Sequence, residues 1–391
     1  MNLARVLHRL PDLRMHLDAR NELAVTIGSR TQVCGPHALR LLEIFSRPVS
    51  VNEALEMLKP SLTGTQDWML ALRTIQQLET AGVLIEEGGV VSEAPFDRAS
   101  MHIDMLNDRV RTEAFIKAIQ QMVKPGDVVV DLGTGSGVLA MAAAKAGARK
   151  VYAIEAGAIR QQAAVVIEEN GFDDRISVIP GWSTQVTLPE QADVVVGEIL
   201  GNDPFGEDIT DAYRDAVRRF LKPGGKVLPV RVELWAVLMH VPEKTSARHR
   251  FEPAIIDAWE QIYGINFKAL RPADASANFT VAPQTAKTWV ALSQPVMLKQ
   301  SDLSSGEETA CPEVVEMVAT GKGFVTGMLF YFTATLCDGV QVTTNPQVAG
   351  EDCHWRNVVR LFPEALEVKE GQSVKLDCVD GYLGASLKPS L

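Results

Sequence analysis

The chain has 391 residues, 46% hydrophobic and 22% charged, with a formal net charge of −11. That composition specifies a globular chain long enough for two or three cores. The acid excess argues against a nucleic-acid groove and suits cationic substrates, and no apolar run reaches membrane-spanning length.

The five cysteines, Cys34, Cys311, Cys337, Cys353 and Cys378, are scattered, without a C-x-x-C pair. Neither a disulfide framework nor a zinc site is indicated, and a reducing, cytoplasmic setting is the expectation. The first twenty residues are Arg-rich but interrupted by Pro11, Asp12 and Asp18, unlike a transit peptide.

Residues 1 to about 92 read as a short strand at Leu23–Ile27 followed by two or three helices. Ala38, Leu41, Leu42 and Phe45 form one apolar face at helical spacing, and residues 51–58 and 68–78 supply two more. A strand-like run at 82–85 and a Glu-Glu-Gly-Gly turn at 86–89 complete a winged-helix pattern. Acids slightly outnumber bases here, so the footprint of a DNA reader is missing. The layout is similar to small peptide-recognition domains that add an extended peptide to a sheet edge, with Leu23–Ile27 as the candidate edge. A scaffold or dimerising role is the alternative.

Residues 93–228 alternate strand and helix, the pattern of a parallel sheet in an α/β domain. Strands are expected at 128–132, 151–155, 176–180, 192–196 and from Lys226, with a helix over about 211–221. From 229 to 391 the chain turns β-rich, with runs at 232–239, 289–292, 327–336, 357–361 and 374–378. A helical insertion over roughly 252–264 interrupts them.

The stretch Val128-Val-Val-Asp-Leu-Gly-Thr-Gly-Ser-Gly137 ends a β-branched run on Asp131 and turns through Gly133, Gly135 and Gly137 into an Ala-rich helix. The next strand ends at Glu155. This is a unit for a nucleoside-bearing cofactor at the carboxyl ends of parallel strands. The glycine spacing also satisfies a dinucleotide fingerprint, but Asp131 at the strand tip would repel a pyrophosphate. S-adenosylmethionine lacks phosphate and carries an ammonium near a sulfonium, so Asp131 favours it over a nicotinamide cofactor. Gly133 and Gly135 let the backbone approach the ligand.

Further on, Gly197-Glu-Ile-Leu-Gly-Asn-Asp-Pro-Phe-Gly-Glu207 sets Glu198 at a strand's carboxyl end and Glu207 across a Gly/Pro-shaped loop that can turn one acid toward the other. Two facing carboxylates raise one pKa unless a cation sits between them, and a guanidinium matches them bidentately. Acids at strand ends also serve as loop caps or solvated charges, which is the competing reading.

Residues 102–112, 131–137, 146–151, 198–207, 259–264 and 354–355 occur in an order and spacing that resembles the protein arginine methyltransferases. The resemblance runs from about residue 93 to the C-terminus. It implies a Rossmann-like class I methyltransferase domain (93–228) and a β-barrel-like substrate domain (229–391) with a helical dimerisation arm at about 240–264. It also implies a homodimer acting on arginines of a protein or peptide. Under it Glu198 and Glu207 are the paired glutamates. Arg111 clamps the cofactor's carboxylate, Glu155 takes both ribose hydroxyls, and Ser183 and Thr184 lie near the adenine. His102 and Met105 line the pockets, although Met105 suits a core filler equally. His354 pairs with Asp108, either to remove a proton or to clamp two domains. Several positions depart from the pattern. Asn202 replaces the usual aromatic, and the paired tyrosines upstream of His102 are missing, with Phe96 and Arg98 nearby. Thr184 replaces an acid and Cys353 a threonine. These departures leave open methylation of another side chain or small amine, or a non-catalytic interaction protein.

Overall fold

The Val128–Leu132 strand is buried at every position and lies at the centre of a five-stranded parallel sheet. The computed structural model describes residues 5–10, 13–17, 23–27, 30–81, 83–86, 99–270, 277–377 and 388–390. Across the sheet the order is Leu221–Leu228, Ala192–Gly197, Val128–Leu132, Lys150–Glu155 and Ile176–Pro180. Both faces are covered, which is why Val128, Val129 and Val130 form a continuous apolar run rather than an alternating one. The chain leaves Val128–Leu132 in one direction for the next two strands and returns on its other side with Ala192–Gly197. The crevice between these two strands is thus the switch point where α/β sheets bind ligands. The helix expected at 211–221 spans Ile209–Phe220, and Lys222-Pro-Gly-Gly belongs to the Leu221–Leu228 strand rather than to a closing turn. A register shift beside Ala192 accommodates those residues.

After the parallel sheet the strands become mostly antiparallel. Arg231–His240, Gly323–Cys337 and Asn357–Val368 form the centre of a seven-stranded sheet, and Val314–Val318 pairs with Ser373–Asp377 in a smaller one. Gly323–Cys337 is longer than the expected 327–336. The reason is visible in the pairing, because its first residues match Leu366–Val368 of a strand that also outruns its apolar core. Leu132, Val196, Leu234, Phe332 and Trp355 share one buried cluster, so the parallel and antiparallel parts pack on each other. The helical insertion spans Pro253–Tyr263, opened by proline and closed by Gly264 at φ 65°.

Near the N-terminus the helices Ala38–Ile44, Val51–Leu58 and Thr65–Thr80 bury Leu41, Leu55, Ile75 and Leu78 in a separate cluster. Ser50 and Glu53 form a reciprocal capping box on the second helix. Val6–Arg9 pairs with Val49–Ser50 and Leu84–Glu86. The Leu23–Ile27 strand exists but is not an edge, because Arg14–Leu17 pairs on one side and Arg30–Val33 on the other. Both of its rows of backbone groups face a neighbouring strand, so the edge role expected for it is overturned. The expected turn at 86–89, the boundary near 92, Phe96, Arg98 and Cys378 lie wholly or mostly outside the described residues.

Candidate active site

Asp131 sits at the tip of the central strand, fully buried, with Oδ2 accepting from the Thr134 hydroxyl at 2.6 Å. Its Oδ1 has no protein partner. Burial pushes this carboxyl up to about 7 against the Thr134 hydrogen bond, and the charge of Glu155 adds to the rise. Gly133 and Gly135 turn the chain at φ 66° and 53°. A Cβ on Gly135 would stand 3.3 Å from His102, which is buried above the loop. Glu155, at the tip of the next strand, accepts the N–H of Gly135 at 2.9 Å and of Gly157 at 2.7 Å. The acid expected to take ribose hydroxyls therefore also braces the glycine loop.

On the other side of the switch point Glu198 follows directly on the Ala192–Gly197 strand. Its Oε2 accepts from Arg111 Nη2, and both side chains are buried. Arg111 further donates to the Met105 carbonyl at 3.2 Å, and its guanidinium lies 5.8 Å from the Trp355 ring centroid. Here Arg111 is paired with the carboxylate loop, whereas the resemblance assigned it to the cofactor. Glu207 returns close to Gly201, where a Cβ would meet its Oε1 at 2.9 Å. Burial first, then the charges of Glu198 and Asp203, push Glu207 up to about 7. The loop thus brings Glu207 near enough to Glu198 and Asp203 for their charges to add to the effect of burial.

A strap from the antiparallel part closes the site. His354 donates its backbone N–H to Asp108 Oδ2 at 3.0 Å, and its Nδ1 lies 3.0 Å from the same oxygen. Asp108 Oδ1 caps the Arg109–Met122 helix by accepting from Arg111 N at 3.1 Å. Burial works to raise the Asp108 carboxyl, but the hydrogen bonds from His354 and Arg111 outweigh it and hold it below the usual range. Trp355 Nε1 donates to Leu200 O at 2.7 Å, and Arg356 N donates to Asn202 Oδ1 at 2.7 Å. Burial pushes the Cys353 thiol up to about 12, with Asp108 adding to the rise, so this replacement brings no reactive thiolate.

Asp131, Gly133, Gly135, Glu155, His102, Met105, Arg111, Asp108, Glu198, Glu207 and His354 thus converge on one end of the parallel sheet. Ser183 and Thr184 follow the last strand, where the Ser183 carbonyl accepts from Arg219 and the Thr184 side chain is exposed. Sequence reasoning missed Thr134 and Asp203. A hydroxyl three residues after a strand-tip acid is a readable signal for Thr134. Asp203 had none, since its influence depends on the loop's return.

Two family models match the chain: ribosomal protein L11 methyltransferase over residues 110–228 and the arginine methyltransferase oligomerization subdomain over residues 247–379. Protein arginine N-methyltransferase 1 of Chlamydomonas reinhardtii is 28% identical over 294 residues, 72% of this chain and 81% of that protein. Protein arginine N-methyltransferase 6 of Danio rerio is 29% identical, over 72% of this chain and 81% of its own. Over 72% of its length the chain is similar to protein arginine N-methyltransferases. Two solved structures share the fold. The Trypanosoma brucei PRMT1 enzyme–prozyme heterotetrameric complex with AdoHcy has a TM-score of 0.62 and 21% identity, covering 76% of this chain and 98% of that one. Arabidopsis thaliana protein arginine methyltransferase 10 has a TM-score of 0.58 and 25% identity, covering 72% and 88%.

Proposed function

We propose that this methyltransferase acts on the guanidinium of an arginine in a protein or peptide, held between Glu198 and Glu207. The observation that carries the reading is the pair of carboxylates on one loop, with Glu207 raised to about 7 by burial and by its acidic neighbours. An entering guanidinium would restore charge balance and bring Glu207 back to its ionised form. Carboxylates beside the attacking nitrogen stabilise the charge that grows there during transfer more than they stabilise the ground state.

The residues of the glycine loop fit the cofactor. Asp131 Oδ1 is a buried acceptor without a partner, which suits an ammonium donor. Gly133 and Gly135 hold the loop in a course that a Cβ would disturb, since one there would stand 3.1 Å from Ile199 or 3.3 Å from His102. Glu155 keeps acceptor capacity for ribose hydroxyls beyond its two backbone bonds. Arg111 would take the carboxylate, with His102, Met105, Ser183 and Thr184 around the remainder. Bound there, S-adenosylmethionine supplies an electrophilic methyl group whose leaving group is a neutral thioether. For His354 and Asp108 the geometry favours the clamp: one aspartate caps a helix and receives two groups from the strap.

The finer organisation belongs to the same proposal. Residues 1–92 form a winged-helix module, supported by three helices on a small antiparallel sheet. Residues 93–228 bind the cofactor, and 229–391 form a barrel-like substrate domain. The arm exposes Ile262, Tyr263 and Ile265, an apolar surface that a second copy would cover in a homodimer. Cys34, Cys311, Cys337 and Cys353 are free, which suits the cytoplasm. The test is mass spectrometry of arginine peptides incubated with enzyme and labelled cofactor. Label on guanidinium nitrogen supports the reading, and label on lysine or a small amine overturns it.

A further inference from the structure

Asn202 stands where the family resemblance leads one to expect an aromatic ring, and it points at the strap instead. Its Oδ1 accepts the backbone N–H of Arg356 at 2.7 Å. Two residues earlier in the same loop, the Leu200 carbonyl accepts the Trp355 indole N–H, also at 2.7 Å. These bonds join consecutive strap residues to the segment between Glu198 and Glu207, across sequence separations of 154 and 155 residues. The strap itself is anchored on both sides. His354 is held on Asp108, and the buried Asn357 amide donates to Phe330 O at 3.2 Å and Thr344 O at 2.8 Å. Between the two staples lies Gly201, against which Glu207 Oε1 packs so closely that a Cβ would stand 2.9 Å away. A loop fixed at positions 200 and 202 leaves residue 201, and with it Glu207, little freedom to move away from Glu198.

We propose that Asn202 is a positioning residue for the acceptor slot: its carboxamide oxygen staples the carboxylate loop to the strap and sets where Glu207 stands. The inference rests on the reading of Glu198 and Glu207 as the guanidinium slot. Asn202 is exposed, and its Oδ1 bonds the strap, so its effect falls on the acceptor and not on the cofactor. An aromatic residue has no carboxamide oxygen to offer the strap at this position. The staple is thus a second solution to holding the loop, made from main-chain and amide groups.

The experiment compares N202A and N202D with wild type, using the full chain and an arginine peptide established as substrate. Assays are run at about pH 9, well above the value of about 7 for Glu207, so that added charge does not alter its ionisation. Loss of one such hydrogen bond is expected to lower kcat/KM for the peptide about three- to tenfold in N202A, shared between kcat and KM. The Kd for S-adenosylhomocysteine and the melting temperature should stay at wild-type values. N202D retains an acceptor oxygen at the same place and should restore most of the loss. Wild-type kcat/KM in N202A would overturn the proposal, as would a parallel loss of cofactor affinity that N202D fails to restore. E198Q and E207Q serve as controls: if these keep turnover, the slot reading has failed, whereas if only they lose it, Asn202 alone has been misassigned.

Discussion

Arg111 donates to Glu198 across the switch point of the sheet, joining the residue assigned to the cofactor with one assigned to the acceptor. Both side chains are buried, so the pair lies in a region where removing one partner leaves an uncompensated charge.

Glu198 and Glu207 should therefore respond differently to the same substitution. E198Q should lose about 100-fold or more in kcat, the scale of one lost electrostatic contact at a reacting centre. It should also lose about 2–3 kcal/mol or more of stability, because Arg111 keeps its charge without a counter-ion. E207Q should lose comparable activity without that stability cost. Denaturant melts alongside single-turnover rates separate the two, and an E198Q protein as stable as E207Q would contradict the argument.

The raised carboxyl of Glu207 sets a pH dependence whose sign is fixed. Its value rises from 4.5 unfolded to about 7 folded. Between those values the folded state holds a proton that the unfolded state has released, so this contribution to stability falls as pH rises through the window and stays lower above it. E207Q should melt higher than wild type at about pH 8, with the gap closing toward about pH 4.5. Differential scanning calorimetry across that range is the check.

Acceptor binding should carry the reverse signature. At about pH 6 a guanidinium entering the slot displaces the proton on Glu207, so calorimetry in buffers of different ionisation enthalpy should record proton release. The affinity for an arginine peptide should rise with pH through about 7. A lysine analogue lacking the planar fork should bind more weakly at every pH.

Asp108 and His354 link two parts of the fold. D108N and H354A should each cost about 1–3 kcal/mol, since Asp108 is buried and serves both a helix cap and the strap. The double mutant should show a coupling energy of about 1 kcal/mol or more. Additive losses would mean that the clamp contributes nothing as a pair.

Deleting residues 1–90 should leave cofactor binding intact, because the N-terminal helices bury their apolar faces in their own cluster. KM for the physiological protein should rise while a short arginine peptide is unaffected. Equal loss on both substrates would identify the module as scaffold.

Much of the site was legible in the sequence because it depends on local order. Asp131 follows a β-branched run and precedes glycines, and Glu198 follows another such run, so each acid's place at a strand tip is a matter of adjacent residues. Glu207 was legible only as a second acid on a loop shaped by Gly201, Pro204 and Gly206. Its closeness to Gly201 is a property of the folded loop.

What the sequence by itself determined, then, is the succession of elements and which chemical groups stand at their ends, since period, glycine placement and charge are local quantities. Tertiary structure alone decided the partners. Leu23–Ile27 is an interior strand because neighbours on both sides claim its backbone, which no property of its own five residues encodes. Arg111 reaches Glu198 only because strand order places the two strand tips beside one helix, and Asn202 meets Arg356 only because the strap crosses the sheet's end. Hydrogen bonds and ion pairs act over a few ångströms, so they become definite only when packing brings distant segments within reach.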